Sequence, residues 1–191
     1  MSGRRIVLAS GNAHKARELQ RVLPGWTLEP FAGELPEETG DTFVANALLK
    51  ARHVHRAIAA EAWVLADDSG IEAAALAGAP GVRSARYAGE DATDAQNLHK
   101  LLAAVGEDDD RRVRYVAELV AIAPDGRELH ARGELRGTLA AAPRGSGGFG
   151  YDPAVVPEGE TRTVAEMTPD EKDAVSHRAR AAAALLPQLP S

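Results

Sequence analysis

The 191-residue chain contains no cysteine. This absence excludes disulfide bonds, thiolate nucleophiles and zinc sites built on cysteine. A chain of this length buries roughly two-thirds of the surface that it exposes when unfolded, so it needs no cross-links to fold. We expect one large domain over residues 1–191, or two lobes that share a core.

Long apolar runs and a basic stripe are also missing. No stretch reaches the ~18 apolar residues of a membrane helix, and the run Ile6–Ala9 is too short for a secretory signal. We therefore expect a cytoplasmic protein without a membrane partner. The formal net charge is −6. Because neutralisation of phosphates dominates binding to nucleic acids, this charge argues against a nucleic-acid partner.

Lysine is scarce: the chain has 22 Lys and Arg residues together, and only four of them are lysines. In such an arginine-biased chain, a lysine at a site indicates a need for a compact point charge. Two of the lysines, Lys15 and Lys172, fall within the motifs described next.

The first motif follows a short apolar strand predicted over Ile6–Ala9. A turn at Ser10-Gly11-Asn12 leads into a helix predicted over Ala13–Leu23, with Lys15 in its first turn. Backbone N–H groups at a helix start, together with a lysine, suit a triphosphate. The P-loop signature is absent, so an ordinary turn capped by Ser or Asn is the alternative interpretation.

Two pairs of acidic residues form the second motif. Glu37-Glu38 lies in a loop rich in Gly, Pro and Glu, and Asp67-Asp68 directly follows a strand predicted over Trp63–Ala66. Carboxylate oxygens suit Mg²⁺, and ligands of α/β sheets bind at the carboxyl ends of strands. Because neighbouring strand residues point to opposite faces, we expect one acid of each pair to face the site. The alternative is a solvated acidic turn.

The third motif is the glycine-rich stretch Gly145–Gly150, which formally matches G-x-G-x-x-G. A dinucleotide site is excluded because Tyr151-Asp152-Pro153 follows in place of a helix. Phe149 could instead stack on a base while Asp152 reads one of its edges. The alternative is a hairpin tip with Phe149 in the core.

The fourth motif combines Lys172 with His177 and Arg178 near a predicted helix start. Cations at a helix N-terminus oppose the helix dipole, so their placement makes sense if an anion lies between them. An ordinary surface helix start is the alternative.

The remaining pattern indicates a mixed fold. Helices are predicted over Thr42–Ala60 and Asp94–Val105, and residues 70–90 read as irregular. Strands over Val113–Ala123 and Glu128–Arg136 are joined by a hairpin turn. We predict a mixed α/β sheet covered by helices.

Taken in order, five segments resemble the inosine triphosphate pyrophosphatase family. They are LASGNAHKARELQ at 8–20, EETGDTFVANALLKA at 37–51, LADDSGIEAAALAGAPGVRSARYAG at 65–89, GSGGFGYDP at 145–153 and MTPDEKDAVSHR at 167–178. The resemblance implies an elongated mixed sheet flanked by helices, with two lobes, an active-site cleft between them, and assembly as a homodimer. It also implies Mg²⁺-dependent hydrolysis of ITP, dITP or XTP between the α and β phosphates.

The resemblance also implies site residues. Asp68 would be the general base and a metal contact, and Glu38, or its neighbour Glu37, would hold the metal. Lys15, Lys172 and Arg178 would neutralise the departing pyrophosphate. The implied substrate contacts are Ser10, Gly11, Asn12, Ala13, His14, Lys15, Ser69, Phe149, Gly150, Tyr151, Asp152, Lys172, His177 and Arg178. A donor such as Arg178 or His177 would accept a 6-oxo purine and reject adenine.

One position departs from the family pattern, because Ala45 stands where a Glu is common. If that Glu assists the metal, this protein holds Mg²⁺ more weakly. Three alternatives stay open at this point: a pyrophosphatase with another base preference, such as the septum-inhibitor Maf-like enzymes, a nucleotide sensor, and a nucleic-acid-binding module. A sensor would not need Asp68, so the intact acidic set argues against it.

Overall fold

Six strands form one mixed sheet in the computed structural model, which describes residues 4–107 and 109–190. The strands are β1 (Arg4–Ala9), β2 (Trp26–Pro30), β3 (Trp63–Ala73), β4 (Arg112–Ile122), β5 (Glu128–Leu139) and β6 (Val155–Pro157). Their order across the sheet is β2-β1-β3-β4-β5-β6. β1 runs parallel to β2 and β3, whereas β6 is antiparallel to β5. The predicted mixed α/β sheet is confirmed.

Five α-helices accompany these strands in the described part of the chain. They are α1 (Ala13–Val22), α2 (Phe43–Ala57), α3 (Asp94–Ala104), α4 (Pro169–Val175) and α5 (His177–Leu185). Side-chain caps begin four of them, at Asn12, Thr42, Thr93 and Thr168. Each cap oxygen accepts a backbone N–H that has no partner within the helix.

The chain divides into two compact units whose boundaries fall within strands β3, β4 and β5 and between helices α4 and α5. Unit 1 comprises Met1–Asp68, Ala117–Gly133 and His177–Ser191, and unit 2 comprises Ser69–Val116 and Glu134–Ser176.

Unit 1 is built on both faces of β1. Ile6 and Leu8 belong to a buried cluster with residues of α1 and α5, while Val7 and Ala9 belong to another with residues of α2. Successive side chains of a strand point to opposite faces, so the part of β1 that is covered on both sides, Ile6–Ala9, is apolar at every position. The register pairs Ala9 with Ala66, which brings the carboxyl ends of these paired segments of β1 and β3 side by side.

Unit 2 has its own core. Leu98 and Leu101 of α3 pack with Val113 and Tyr115 of β4 and with Leu135 of β5, among other buried residues. The same core contains Tyr151, which follows the glycine-rich stretch, and Val175 of α4 packs against it.

One sequence expectation about β3 is wrong. The strand does not end at Ala66 but continues through Asp67-Asp68-Ser69-Gly70 to Ala73. Polar residues and glycine favour turns in isolation, but here almost the whole segment is buried and pairing within the sheet overrides that local preference. The two aspartates therefore have the backbone of a strand and not of a solvated turn.

Candidate active site

The turn after β1 caps helix α1. Asn12 Oδ1 accepts hydrogen bonds from the backbone N–H groups of His14 and Lys15, at 2.9 and 3.1 Å, and Asn12 N–H donates to Ser10 Oγ at 3.2 Å. The sequence suggested that helix N–H groups would bind phosphate, but two of them are occupied by the cap. Gly11 and Ala13 are exposed beside it. The capped-turn interpretation therefore describes the backbone here, and the lysine side chain supplies the charge.

That lysine meets a fully buried aspartate. Lys15 Nζ lies 2.6 Å from Asp67 Oδ1, and Arg178 Nε lies 2.9 Å from Asp67 Oδ2. Burial alone would raise the pKa of Asp67, but the guanidinium of Arg178 and the ammonium of Lys15 outweigh it and hold that pKa well below its usual range. Two cations thus favour the ionised form of Asp67. An ammonium has three donors, so Lys15 can bind Asp67 and a phosphate oxygen together.

The neighbouring aspartate meets another lysine. Lys50 Nζ lies 3.2 Å from Asp68 Oδ1, 2.6 Å from Glu38 Oε1 and 2.8 Å from the carbonyl oxygen of Asp67. Burial would lower the pKa of Lys50, but the carboxylates of Asp68 and Glu38 outweigh burial and raise it. Lys50 is therefore a cation that joins the two acids. We call Lys15, Glu38, Lys50, Asp67 and Asp68 the charged cluster of unit 1.

Asp68 has the chemistry expected of a base or a metal ligand. It is 5% exposed, and its Oδ2 has no hydrogen-bond partner among the described residues. Burial raises the pKa of this carboxyl against the opposing charges of Lys50 and Lys15. A buried oxygen without a partner is costly and calls for a ligand.

Of the two glutamates in the second motif, Glu38 faces the charged cluster. Its side chain is partly buried against Lys50, whereas Glu37 is exposed. The loop that carries Glu38 is fixed nearby, because Gly40 N–H donates to Asn46 Oδ1 at 2.7 Å. Asn46 is fully buried on α2, so the same helix positions both Lys50 and this loop.

Arg178, expected at the substrate, is 1% exposed and bound to protein carboxylates. It donates to Asp67 and, through Nη1, to Glu18 of α1. Burial would lower the pKa of Arg178, but Asp67 and Glu18 raise it further above its ordinary value. The sequence places Arg178 at a helix start, where a cation is stabilised if an anion lies nearby. Asp67 and Glu18 of unit 1 are those anions, and Arg178 in turn holds Asp67 in place.

In unit 2, the glycine-rich loop with the residues that follow it (145–152, here the base loop) presents a half-buried phenylalanine. Phe149 is neither fully buried nor in a core cluster, so the alternative interpretation, a core phenylalanine at a hairpin tip, is wrong. Two backbone hydrogen bonds hold the loop at the phenylalanine. Phe149 N–H donates to Asp152 Oδ2 at 2.9 Å, and Gly150 N–H donates to Asp94 Oδ2 at 2.8 Å. Tyr151 is buried and its hydroxyl donates to the carbonyl of Ser84 at 2.7 Å.

Lys172 belongs to the same assembly. Its Nζ lies 2.6 Å from Asp152 Oδ2 and 4.9 Å from the centroid of the Phe149 ring. The expected conflict with a helix dipole does not arise for Lys172, because it lies in the last turn of α4. A cation beside a half-buried aromatic ring is suited to a flat ligand that carries an acceptor oxygen.

His177 and Ser69 lie in different units. His177 is buried at the first residue of α5 in unit 1, next to Arg178. Its backbone is tightly packed, since a Cβ at Gly133 would collide with the His177 carbonyl oxygen. Ser69 follows Asp68 on β3 and is half-buried.

Sequence reasoning missed two charged residues that pair with site residues. Lys50 belongs to the charged cluster of unit 1, and Glu18 binds Arg178. Lys50 was one of four lysines but was not placed in a site, although it belongs to the buried stripe of α2 with Asn46, Ala47 and Val54. A lysine inside a buried helical stripe was the signal that could have found it. Glu18 offered a similar signal beside Leu19 on α1.

Comparison with known proteins decides the family. A sequence model of the Ham1 family matches residues 6–188. The chain belongs to the Ham1 family. This confirms the resemblance drawn from the five segments. A solved structure agrees with it, because a HAM1 protein from Coxiella burnetii has a TM-score of 0.85 and 41% identity over 97% of this chain and 98% of that chain.

Named relatives of this Ham1-family chain share one activity in their names. The "dITP/XTP pyrophosphatase" of Deinococcus deserti is 48% identical over 97% of this chain and 89% of the relative. The protein of the same name from Escherichia coli K12 is 45% identical over 97% and 98%. A crystal structure of "Nucleoside-triphosphatase / dITP/XTP pyrophosphatase" from Mycobacterium abscessus gives a TM-score of 0.75 at 44% identity, over 96% of this chain and 99% of that chain.

None of the described helices is both long and apolar enough to cross a membrane. Within residues 4–107 and 109–190, no three His, Cys, Asp or Glu side chains are grouped to hold a metal by themselves.

Proposed function

We propose that this protein hydrolyses deaminated purine nucleoside triphosphates (dITP, ITP and XTP) to the monophosphate and pyrophosphate. Near full-length relatives carry the corresponding name, and membership of the Ham1 family agrees with it. The structural observation that carries the proposal is the buried, partnerless Oδ2 of Asp68 inside a cluster of acids and lysines. Removing such triphosphates from the nucleotide pool would keep deaminated purines out of DNA and RNA.

The charged cluster of unit 1 suits a triphosphate with Mg²⁺. Mg²⁺ commonly binds through one or two carboxylates together with waters and substrate phosphates, so a set of two acids is sufficient. Asp68 offers an oxygen without a hydrogen bond, and Glu38 offers a partly buried carboxylate held by Lys50. We propose that these two residues hold Mg²⁺ and that Glu37, which is exposed, does not. Bound there, Mg²⁺ would neutralise phosphate charge and increase the acidity of a water.

The hydrolytic step follows from the same residues. Asp68 accepts a proton from a water whose oxygen forms a bond to the α-phosphorus, while the bond from that phosphorus to the bridging oxygen breaks and pyrophosphate leaves. A carboxyl whose pKa is raised by burial is a stronger base than an exposed one. Lys50 orients the Asp68 carboxylate, and Lys15 stabilises the negative charge of the leaving group.

The base loop of unit 2 suits a purine with a 6-oxo group. Phe149 provides a stacking face, and the Lys172 ammonium beside it is a donor for an acceptor oxygen. Hypoxanthine and xanthine carry a 6-oxo acceptor, whereas adenine carries a 6-amino donor. A buried donor that meets another donor is left unpaired, which can reject a substrate by ~10⁴-fold or more. Because Arg178 is bound to Asp67 and Glu18, we assign the 6-oxo contact to Lys172.

The decisive experiment is pyrophosphate release, with and without Mg²⁺, from ITP, dITP, XTP, ATP, GTP, CTP and dTTP. Strong preference for the first three substrates supports the proposal. Activity mainly on pyrimidine triphosphates keeps the chemistry and indicates a Maf-like preference, while tight binding without turnover indicates a sensor. Assembly as a homodimer and a cytoplasmic location stay predictions from the family resemblance.

A further inference from the structure

A buried carboxylate organises the base loop. Asp152 is 3% exposed, and both of its oxygens are engaged. Oδ2 accepts from Lys172 Nζ at 2.6 Å and from Phe149 N–H at 2.9 Å, and Oδ1 accepts from the hydroxyl of Tyr115 at 3.0 Å. The two groups proposed to touch the base therefore share one anchor.

The fit of the loop on this anchor is close. Gly148 has a φ of +69°, and a Cβ there would collide with the Asp152 carboxylate. A rotation of the carboxylate would move an oxygen that Lys172 and Phe149 both use. The orientation of Asp152 therefore sets the distance between the ammonium and the aromatic ring.

Tyr115 provides the third hydrogen bond of this carboxylate from outside every sequence motif. It lies on β4, is 6% exposed, and belongs to the core of unit 2. A phenylalanine would fill the same apolar space, so packing alone does not call for the hydroxyl. A buried hydrogen bond to a charged acceptor is among the stronger ones in proteins.

We propose that Tyr115 is a positioning residue for base recognition, whose hydroxyl fixes the Asp152 carboxylate and through it Phe149 and Lys172. The inference rests on the proposed function and deepens it, since it names a residue that determines how the base is held. Tyr115 itself touches neither phosphate nor base in this role. Its removal should weaken interactions with the base and leave the phosphate chemistry intact.

The test compares Tyr115→Phe with Tyr87→Phe and the wild type. Tyr87 is a matched control, because its ring contacts Lys100 in unit 2 while its hydroxyl makes no hydrogen bond among the described residues. For dITP, we expect Tyr115→Phe to raise KM on the order of 10-fold, the effect of losing one hydrogen bond to a charged group. Its kcat should stay within about twofold, and Tyr87→Phe should match the wild type.

Two binding probes separate positioning from general damage. In calorimetry with Mg²⁺, Tyr115→Phe should bind dIMP on the order of 10-fold more weakly and bind inorganic tripolyphosphate as the wild type does. An unchanged KM and dIMP affinity, or equal losses for dIMP and tripolyphosphate, would overturn the inference while the proposed function stands. A wild-type protein that releases no pyrophosphate from dITP would overturn both.

Discussion

The adjacent aspartates Asp67 and Asp68 should respond in opposite ways to the same substitution. Asp67 pairs with Lys15 and Arg178 and has a lowered pKa, whereas burial raises the pKa of Asp68. Asp67→Asn removes the charge that two cations need. Asp68→Asn removes a charge that is costly to bury and that the proposed reaction requires.

The loss of stability caused by Asp67→Asn can be estimated from the contacts of Asp67. Removing one partner of a buried ion pair costs about 3–5 kcal/mol, because the remaining charge is left uncompensated. The Lys15 side chain is 15% exposed and can turn towards water, and Arg178 keeps its ion pair with Glu18. We therefore expect Asp67→Asn to lower the free energy of unfolding by the lower end of this range, about 3 kcal/mol. For a chain of this size, that loss lowers the melting temperature by roughly 6–12 °C.

The pH dependence has opposite signs for the two residues. The folded-state pKa of Asp67 is depressed, so its contribution to stability is present above the unfolded pKa of about 3.9 and is lost as pH falls below it. The folded-state pKa of Asp68 is raised, so its favourable contribution is present only below about pH 3.9 and is lost as pH rises. At pH 7, Asp68→Asn should therefore leave the metal-free protein as stable as the wild type or more so.

The assay is thermal unfolding in EDTA at pH 5, 6, 7 and 8, together with pyrophosphate release from dITP in Mg²⁺. Asp67→Asn should melt lower than the wild type at every one of these pH values. Asp68→Asn should keep its melting temperature and lose on the order of 10²–10⁴-fold in kcat. A wild-type melting temperature for Asp67→Asn, or equal destabilisation by both substitutions, would refute the reasoning.

Three further predictions concern single side chains. Lys50→Met should lower kcat for dITP by at least about 10-fold, since Glu38 loses a charge-assisted bond; a kcat within twofold of wild type would contradict this. Ala45→Glu should lower the Mg²⁺ concentration for half-maximal activity, because residue 45 lies beside the loop that carries Glu38; an unchanged midpoint in a Mg²⁺ titration would count against it. Asp94→Ala should raise KM for dITP several-fold without changing kcat, because Gly150 N–H loses its acceptor, whereas Asp94→Asn should retain near-normal KM in the same assay.

Much of the fold could be predicted from local sequence. Apolar runs and breakers located β1 within two residues and α1 within one residue of their observed bounds, because helix and strand periods are short-range properties. The carboxyl end of β3 was mispredicted, since burial within a sheet is not visible in Asp-Asp-Ser-Gly itself.

The sequence by itself determined the family, the mixed α/β class and the residue types of the candidate site. Only the tertiary structure decided which charges meet. Arg178 reaches Asp67 across 111 positions of sequence and Glu18 across 160, and Lys50 joins Glu38 to Asp68. The physical reason is that the pairing of buried charges depends on distances between separate helices and strands. The packing of these elements sets those distances, and short-range sequence patterns do not contain them. The same holds for Tyr115. Its sequence context indicates only a core residue, and the tertiary structure shows that its hydroxyl donates a hydrogen bond to Asp152.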